Sequence, residues 1–136
     1  MRNLELALLN TRDRRLAAGA ERVASRLAHR FPAARGARAS VVLTTDAVLA
    51  GLNRRWRRRD RPTDVLSFPM GYLDPETGRR VLGEIYVSRE RARAQGRAYG
   101  TGYHGELERL ITHGLLHLLG LSHREMAALE PPPDND

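Results

Sequence analysis

An α+β fold is what this sequence predicts, and three observations carry that expectation. Four short stretches are rich in β-branched and aliphatic residues, longer stretches around them carry a helical period, and no internal repeat or low-complexity linker divides the chain. With 136 residues, of which 41% are hydrophobic, the chain can bury one core, so a single domain over residues 1–136 is expected.

Residues 3–9 read as the first strand. Residues 11–31 read as a helix with Leu16, Ala20, Val23, Leu27 and Phe31 on one face, ended by Pro32. Residues 39–45, Ala-Ser-Val-Val-Leu-Thr-Thr, form a β-branched strand, after which Thr45 or Asp46 caps a helix running through Arg55. Pro62-Thr63-Asp64 opens a strand over residues 65–68. Residues 69–81 hold Asp74-Pro75 and Thr77-Gly78 and are expected as a connecting loop, followed by a strand over residues 82–87. Ser88 caps a short arginine-rich helix to about Tyr99. A helix over residues 103–119 sets Leu107, Leu110, Ile111, Leu115 and Leu118 against the core, and a terminal helix is expected after His123.

The helix over residues 103–119 carries the most informative pattern in the chain. His113, His117, Gly120 and His123 stand in the spacing H-x-x-x-H-x-x-G-x-x-H, which a random shuffle of this composition places with a probability of roughly 6 in 10,000. Residues four apart lie about 40° apart around a helix axis, so the imidazoles of His113 and His117 project from one face, one turn apart. Gly120 supplies a left-handed turn that ends the helix, and the reversed chain can return His123 as a third ligand. Leu115, Leu116, Leu118, Leu119 and Leu121 make the surroundings apolar, where histidines without a partner are costly. Neutral imidazoles with one open coordination position suit Zn2+ first, although nickel or copper can occupy the same ligands.

Zinc peptidases of this spacing carry a glutamate after the first histidine as general base. Here that position is Gly114. The absence argues against peptide hydrolysis and leaves open reactions that need only a metal-activated hydroxide, phosphodiester cleavage among them.

Charge points in the same direction. All 23 basic residues are arginine, against 16 acidic ones, for a formal net charge of +7. A small basic domain has the electrostatic footprint of a nucleic-acid binder. Six of the eight residues 54–61 are arginine: Arg54, Arg55, Arg57, Arg58, Arg59 and Arg61, with Asp60 opposing and Trp56 expected to pack in the core. A solvated helix end explains part of this cluster, and contact with phosphate explains the rest. Cysteine is absent, which excludes disulfides and thiolate ligands. The first ten residues hold only a short apolar run followed by charges, so neither a signal peptide nor a membrane span is expected.

Three segments together resemble the YbeY endoribonuclease family. The first is Leu52-Asn-Arg-Arg-Trp56-Arg57-Arg-Arg-Asp60-Arg-Pro62-Thr63-Asp64-Val-Leu-Ser67-Phe-Pro69, the second Gly83-Glu84-Ile85-Tyr86-Val87-Ser88, and the third begins at His113. Order and separation agree as well, over roughly residues 40–130. The resemblance implies a zincin-like arrangement with a mixed four-stranded sheet beside the histidine-bearing helix. It also implies a zinc-dependent endoribonuclease that acts in the cytoplasm on single-stranded RNA, in small-subunit ribosomal RNA maturation and ribosome quality control. Partners implied by the resemblance are the small ribosomal subunit, a ribosomal protein and an assembly GTPase.

Carried over by position, the metal ligands are His113, His117 and His123 and the functional arginine is Arg57, which we expect to hold the scissile phosphate. Arg54, Arg58, Arg59 and Arg61 are candidate RNA contacts. Ser122 stands where the family usually has aspartate, so site support there must come from a hydroxyl or another residue; Asp64 and Ser67 are further candidates, although turn chemistry alone accounts for them. The remaining readings are structural. His29 belongs at the surface, Glu106 and Arg109 form a helical ion pair, Glu84 takes an arginine partner, and His104 lies too far from His113 to share its ion but within reach of an RNA groove. Two other functions stay open, a zinc hydrolase of another class and a ribosome-assembly RNA-binding factor whose zinc is structural.

Overall fold

A computed structural model describes residues 2–57 and 64–121 of the chain. The first strand, β1 (Glu5–Leu9), leads through a tight connection into α1 (Arg14–Arg30). Asp13 is the N-cap of α1, its carboxylate accepting from the Leu16 backbone N–H at 3.0 Å, so the helix begins three residues later than its periodicity suggests. A single 3-10 turn, Pro32–Ala34, precedes β2 (Arg38–Thr44), and Thr45 Oγ1 accepts from Val48 N at 3.3 Å to open α2 (Asp46–Arg57). Then follow β3 (Val65–Leu73), β4 (Arg80–Ser88), α3 (Arg89–Tyr99) and α4 (Gly102–Leu118). Ser88 caps α3 as expected, accepting from Arg91 N at 3.1 Å.

The four strands make one mixed sheet in the order β1-β2-β4-β3. β1 and β2 are parallel, β2 and β4 are parallel, and the edge strand β3 runs antiparallel to β4. One expectation is corrected here. Residues 69–81 are largely a β-hairpin: Tyr72 pairs with Val81 and Leu73 with Arg80, and only residues 74–79 turn. Pro69 suggested a strand end because it has no N–H to donate. On an edge strand, opposite Gly83 and at a register shift, that missing donor is tolerated. The turn itself uses the anticipated residues, with Asp74 Oδ1 accepting from Glu76 N at 2.9 Å and the Asp74 carbonyl accepting from Gly78 N at 2.8 Å.

Helices α1 and α4 pack together and against the sheet. Leu16, Val23 and Leu27 of α1 meet Val41 and Leu43 of β2, Ile85 and Val87 of β4, and Leu107, Leu110, Ile111 and Leu115 of α4 in one buried cluster. The residues expected on the inner faces of both helices are buried there, apart from Phe31, which is partly buried at its edge. Burial of this apolar surface fixes α4 along β4, and with it the two histidines of its last turns. The terminal helix expected after His123 lies outside the described residues. Among the described residues no helix is long and apolar enough to cross a membrane.

Candidate active site on helix α4

His113 and His117 both lie on α4, one turn apart and half-buried, while Ile111, Leu115 and Leu118 fill the opposite stripe. The helix ends as the spacing anticipates. Gly120 has a φ of +89°, its N–H bonds the His117 carbonyl at 2.9 Å, and Leu121 N–H reaches the Leu116 carbonyl at 3.1 Å. These two bonds are a Schellman closure, which satisfies the last carbonyls and reverses the chain directly before His123. His123 and Ser122 lie outside the described residues, as do Arg58, Arg59 and Arg61. Among the described residues no three histidine, aspartate or glutamate side chains gather to hold a metal ion. The donor set that is described, two imidazoles at helical spacing with the chain turning back after them, fits an imidazole-ligated cation such as zinc.

Gly114, between the two histidines, is a close approach. A Cβ there would stand 2.7 Å from Ile85 Cγ2 and 3.0 Å from Ile85 Cδ1, inside the core. The helix backbone therefore rests directly on β4, and a glutamate at this position has no room. Ser67 joins the same contact from the other strand, its buried hydroxyl donating to the Gly114 carbonyl at 3.3 Å. It sits inside β3, not in a turn, and ties that strand to the helix segment between the histidines.

Asp64 also exceeds its turn reading. Its carbonyl accepts from Ser88 N at 3.2 Å, its carboxylate accepts from Gln95 Nε2 at 3.3 Å, and Arg109 Nη2 lies 4.0 Å away. Arg109 in turn pairs with Glu106 as expected, through Nε at 2.7 Å and a short contact from Nη2, and also meets Gln95 Oε1 at 3.4 Å. Glu106 is fully buried, with its second oxygen accepting from the Thr101 hydroxyl at 3.1 Å. This chain of polar contacts braces the start of β3 against α3 and α4, one turn below His113. Its sequence signal was an acid within the apolar stripe of α4, one residue before Leu107, with an arginine three residues on.

Helix α2 ends at Arg57, with Arg54 exposed on its flank. Trp56 corrects another expectation: it is 65% exposed, and Leu49 and Asn53 supply the buried side of α2 instead. His104 is not a loose surface group, since its Nε2 meets Asp13 Oδ2 at 2.7 Å across α1 and α4. The Leu16 backbone N–H and His104 together hold the Asp13 carboxyl below its ordinary value of 3.8. Among the described residues Glu84 faces Tyr86 and pairs with no arginine; burial and the Glu84 carboxylate hold the Tyr86 phenol above its ordinary value of 10.0. His29 is exposed, as expected.

The family description endoribonuclease YbeY matches residues 5–130 of the chain. The chain belongs to the YbeY family. Curated relatives named endoribonuclease YbeY include those of Persephonella marina, 44% identical over 62% of this chain and 55% of the relative, and of Myxococcus xanthus, 44% identical over 70% of this chain and 35% of the relative. That of Aquifex aeolicus is 43% identical over 63% of this chain and 56% of its own length. The chain thus spans between a third and three fifths of these relatives. A Thermotoga maritima protein solved in solution superposes with a TM-score of 0.56 at 27% identity, covering 88% of this chain and 73% of that one. The α+β fold with its mixed four-stranded sheet is therefore shared with a solved structure.

Proposed function

We propose that this chain is a zinc-dependent endoribonuclease that cuts single-stranded RNA in small-subunit ribosomal RNA maturation and ribosome quality control in the cytoplasm. One observation carries the reading: His113 and His117 lie one turn apart, half-buried, on a helix that closes with a left-handed turn immediately before His123. His113, His117 and His123 would hold the ion. Zinc bound there would supply Lewis acidity toward a phosphoryl oxygen and would lower the pKa of water at the site.

The remaining roles fall to the protein's own groups. Arg57, at the end of α2, holds the scissile phosphate through its planar guanidinium and offsets charge as it develops. Arg54, Arg58, Arg59 and Arg61 engage neighbouring phosphates, and Ser122 supports the site where relatives carry aspartate. Asp64 and Ser67 act at one remove, holding β3 against α3 and α4. The lack of space at Gly114 supports a reaction without a glutamate base on that turn, and so disfavours a peptidase. The small ribosomal subunit, with a ribosomal protein and an assembly GTPase, is the partner set this role calls for.

The test sets metal content beside cleavage of a single-stranded oligoribonucleotide. His117→Ala is expected to lose both zinc and cutting. Arg57→Ala is expected to keep its zinc and lose cutting by about 10²-fold or more, the scale of one transition-state donor. Cutting that survives chelation and His117→Ala overturns the zinc dependence, whereas zinc-loaded wild type that binds RNA and never cuts it overturns the enzyme reading in favour of an RNA-binding factor with a structural ion.

A further inference from the structure

We infer that a second, non-catalytic site binds the phosphodiester backbone of the same RNA at the other end of α4. This rests on the RNA reading above and extends it. An open cavity of about 700 Å³ lies where β1 and β2 end, beside the first turns of α1, α3 and α4. Three guanidinium groups from two parts of the chain line it: Arg12 from the β1–α1 connection, and Arg89 and Arg93 one turn apart on α3.

The cavity's charge is net positive, three arginines against one aspartate. Arg89 donates to two backbone carbonyls, Leu43 at 3.5 Å and Asn10 at short range, which fixes its guanidinium without neutralising it. Arg93 lies over the Tyr103 ring, 4.9 Å from its centroid. Arg12 is exposed. None of the three has a carboxylate within ion-pair distance among the described residues. Asp13, the acid that lines the cavity, is committed to the Leu16 N–H and to His104. Planar guanidinium groups suit phosphate oxygens, and Arg89 is held in place for that contact. The Tyr103 ring is covered on one side by Arg93 and met edge-on by His104, which favours backbone contact over base stacking.

Position ties this cavity to the histidines. Tyr103 and His113 are ten residues apart on one helix, a rise of about 15 Å, which a few nucleotides of single strand can span. The cavity is thus a subsite for phosphates flanking the cut.

Stopped-flow anisotropy of a fluorescein-labelled 12-nucleotide single-stranded RNA, read before cleavage, tests the proposal. Arg12→Gln/Arg93→Gln should raise Kd about 10-fold and lower the salt slope by about 1.4, the share of two phosphates on a single strand, with kcat at saturating RNA unchanged. Arg26→Gln/Arg30→Gln, which removes the same charge from the far end of α1, should change Kd by less than twofold. Equal shifts in the two pairs overturn the subsite and leave only net charge. Amide shifts of Arg89 and Tyr103 that saturate with inorganic phosphate while RNA affinity stays constant also overturn it, in favour of a free anion. A protein that binds RNA through this cavity yet never cuts it fails the enzyme reading and keeps the subsite; one that binds no RNA fails both.

Discussion

Gly114 shows how one missing side chain constrains both packing and chemistry. Alanine has the higher helix propensity by about 1 kcal/mol, yet here its methyl would meet Ile85 at 2.7 Å, and overpacking of a filled core costs about 1–3 kcal/mol. Gly114→Ala should therefore destabilise the protein in urea unfolding, and the loss should shrink when Ile85→Ala makes room. Additive single effects in that double-mutant cycle would contradict the contact. The absence of a glutamate was legible in the sequence, but its cause was not, because Ile85 arrives from a distant strand. The same holds for Asp13 and His104, which local patterns assigned to separate helices. Since the Asp13 carboxyl is held below 3.8 when folded, the unfolded chain binds more protons in the window beneath that value, so stability rises with pH there. The Asp13 contribution should be intact above pH 3.8 and fade as pH falls through the lowered folded value. Asp13→Asn keeps a capping oxygen and loses the ionic partner; its stability deficit should close in acid, and a deficit constant from pH 7 to pH 2 would contradict this assignment.

Helix α4 is held from several sides at once, which is why its residues could be read singly but not as a network. Its apolar stripe and closing turn follow from local spacing, and both appear where expected. The brace from Asp64 through Gln95 and Arg109 to Glu106 joins three elements, and no periodicity reports such contacts. Its energetic centre is Glu106, a carboxylate with no solvent access whose charge is met by Arg109 and the Thr101 hydroxyl. Removing one partner of a fully buried pair costs about 3–5 kcal/mol; Arg109 is partly solvated, so Arg109→Leu should cost less, on the order of 2 kcal/mol. Glu106→Leu/Arg109→Leu should recover much of that loss, since an apolar pair leaves no stranded charge. Urea midpoints of the three variants measure this, and a single variant within about 0.5 kcal/mol of wild type would show that Glu106 finds another partner. Strand β3 gives the complementary lesson. Pro69 reads as a terminator, yet pairing resumes past it because an edge strand can spare one donor.

Among the described residues, the four strands and four α-helices were written in local sequence, while the strand order β1-β2-β4-β3 was not, because insertion of β4 between β2 and β3 is decided by non-local pairing. Net charge is likewise visible in composition, but its placement is a property of the fold. Arg54 and Arg55 are exposed on α2, and Arg12, Arg89 and Arg93 meet near the first turn of α4. For the proposed RNA ligand, affinity should depend on counterion release while the fold depends on burial, and the two should separate experimentally. If about five phosphates are engaged, the log–log salt slope is about −3.5, and raising monovalent salt from about 50 to 200 mM should weaken binding about 10²-fold. The unfolding midpoint should move little over the same range, because exposed ion pairs contribute weakly. Kd and thermal melts at four salt concentrations measure both; an affinity indifferent to salt would mean that the arginines are spent on the protein's own carboxylates and carbonyls and are not available to a nucleic-acid backbone.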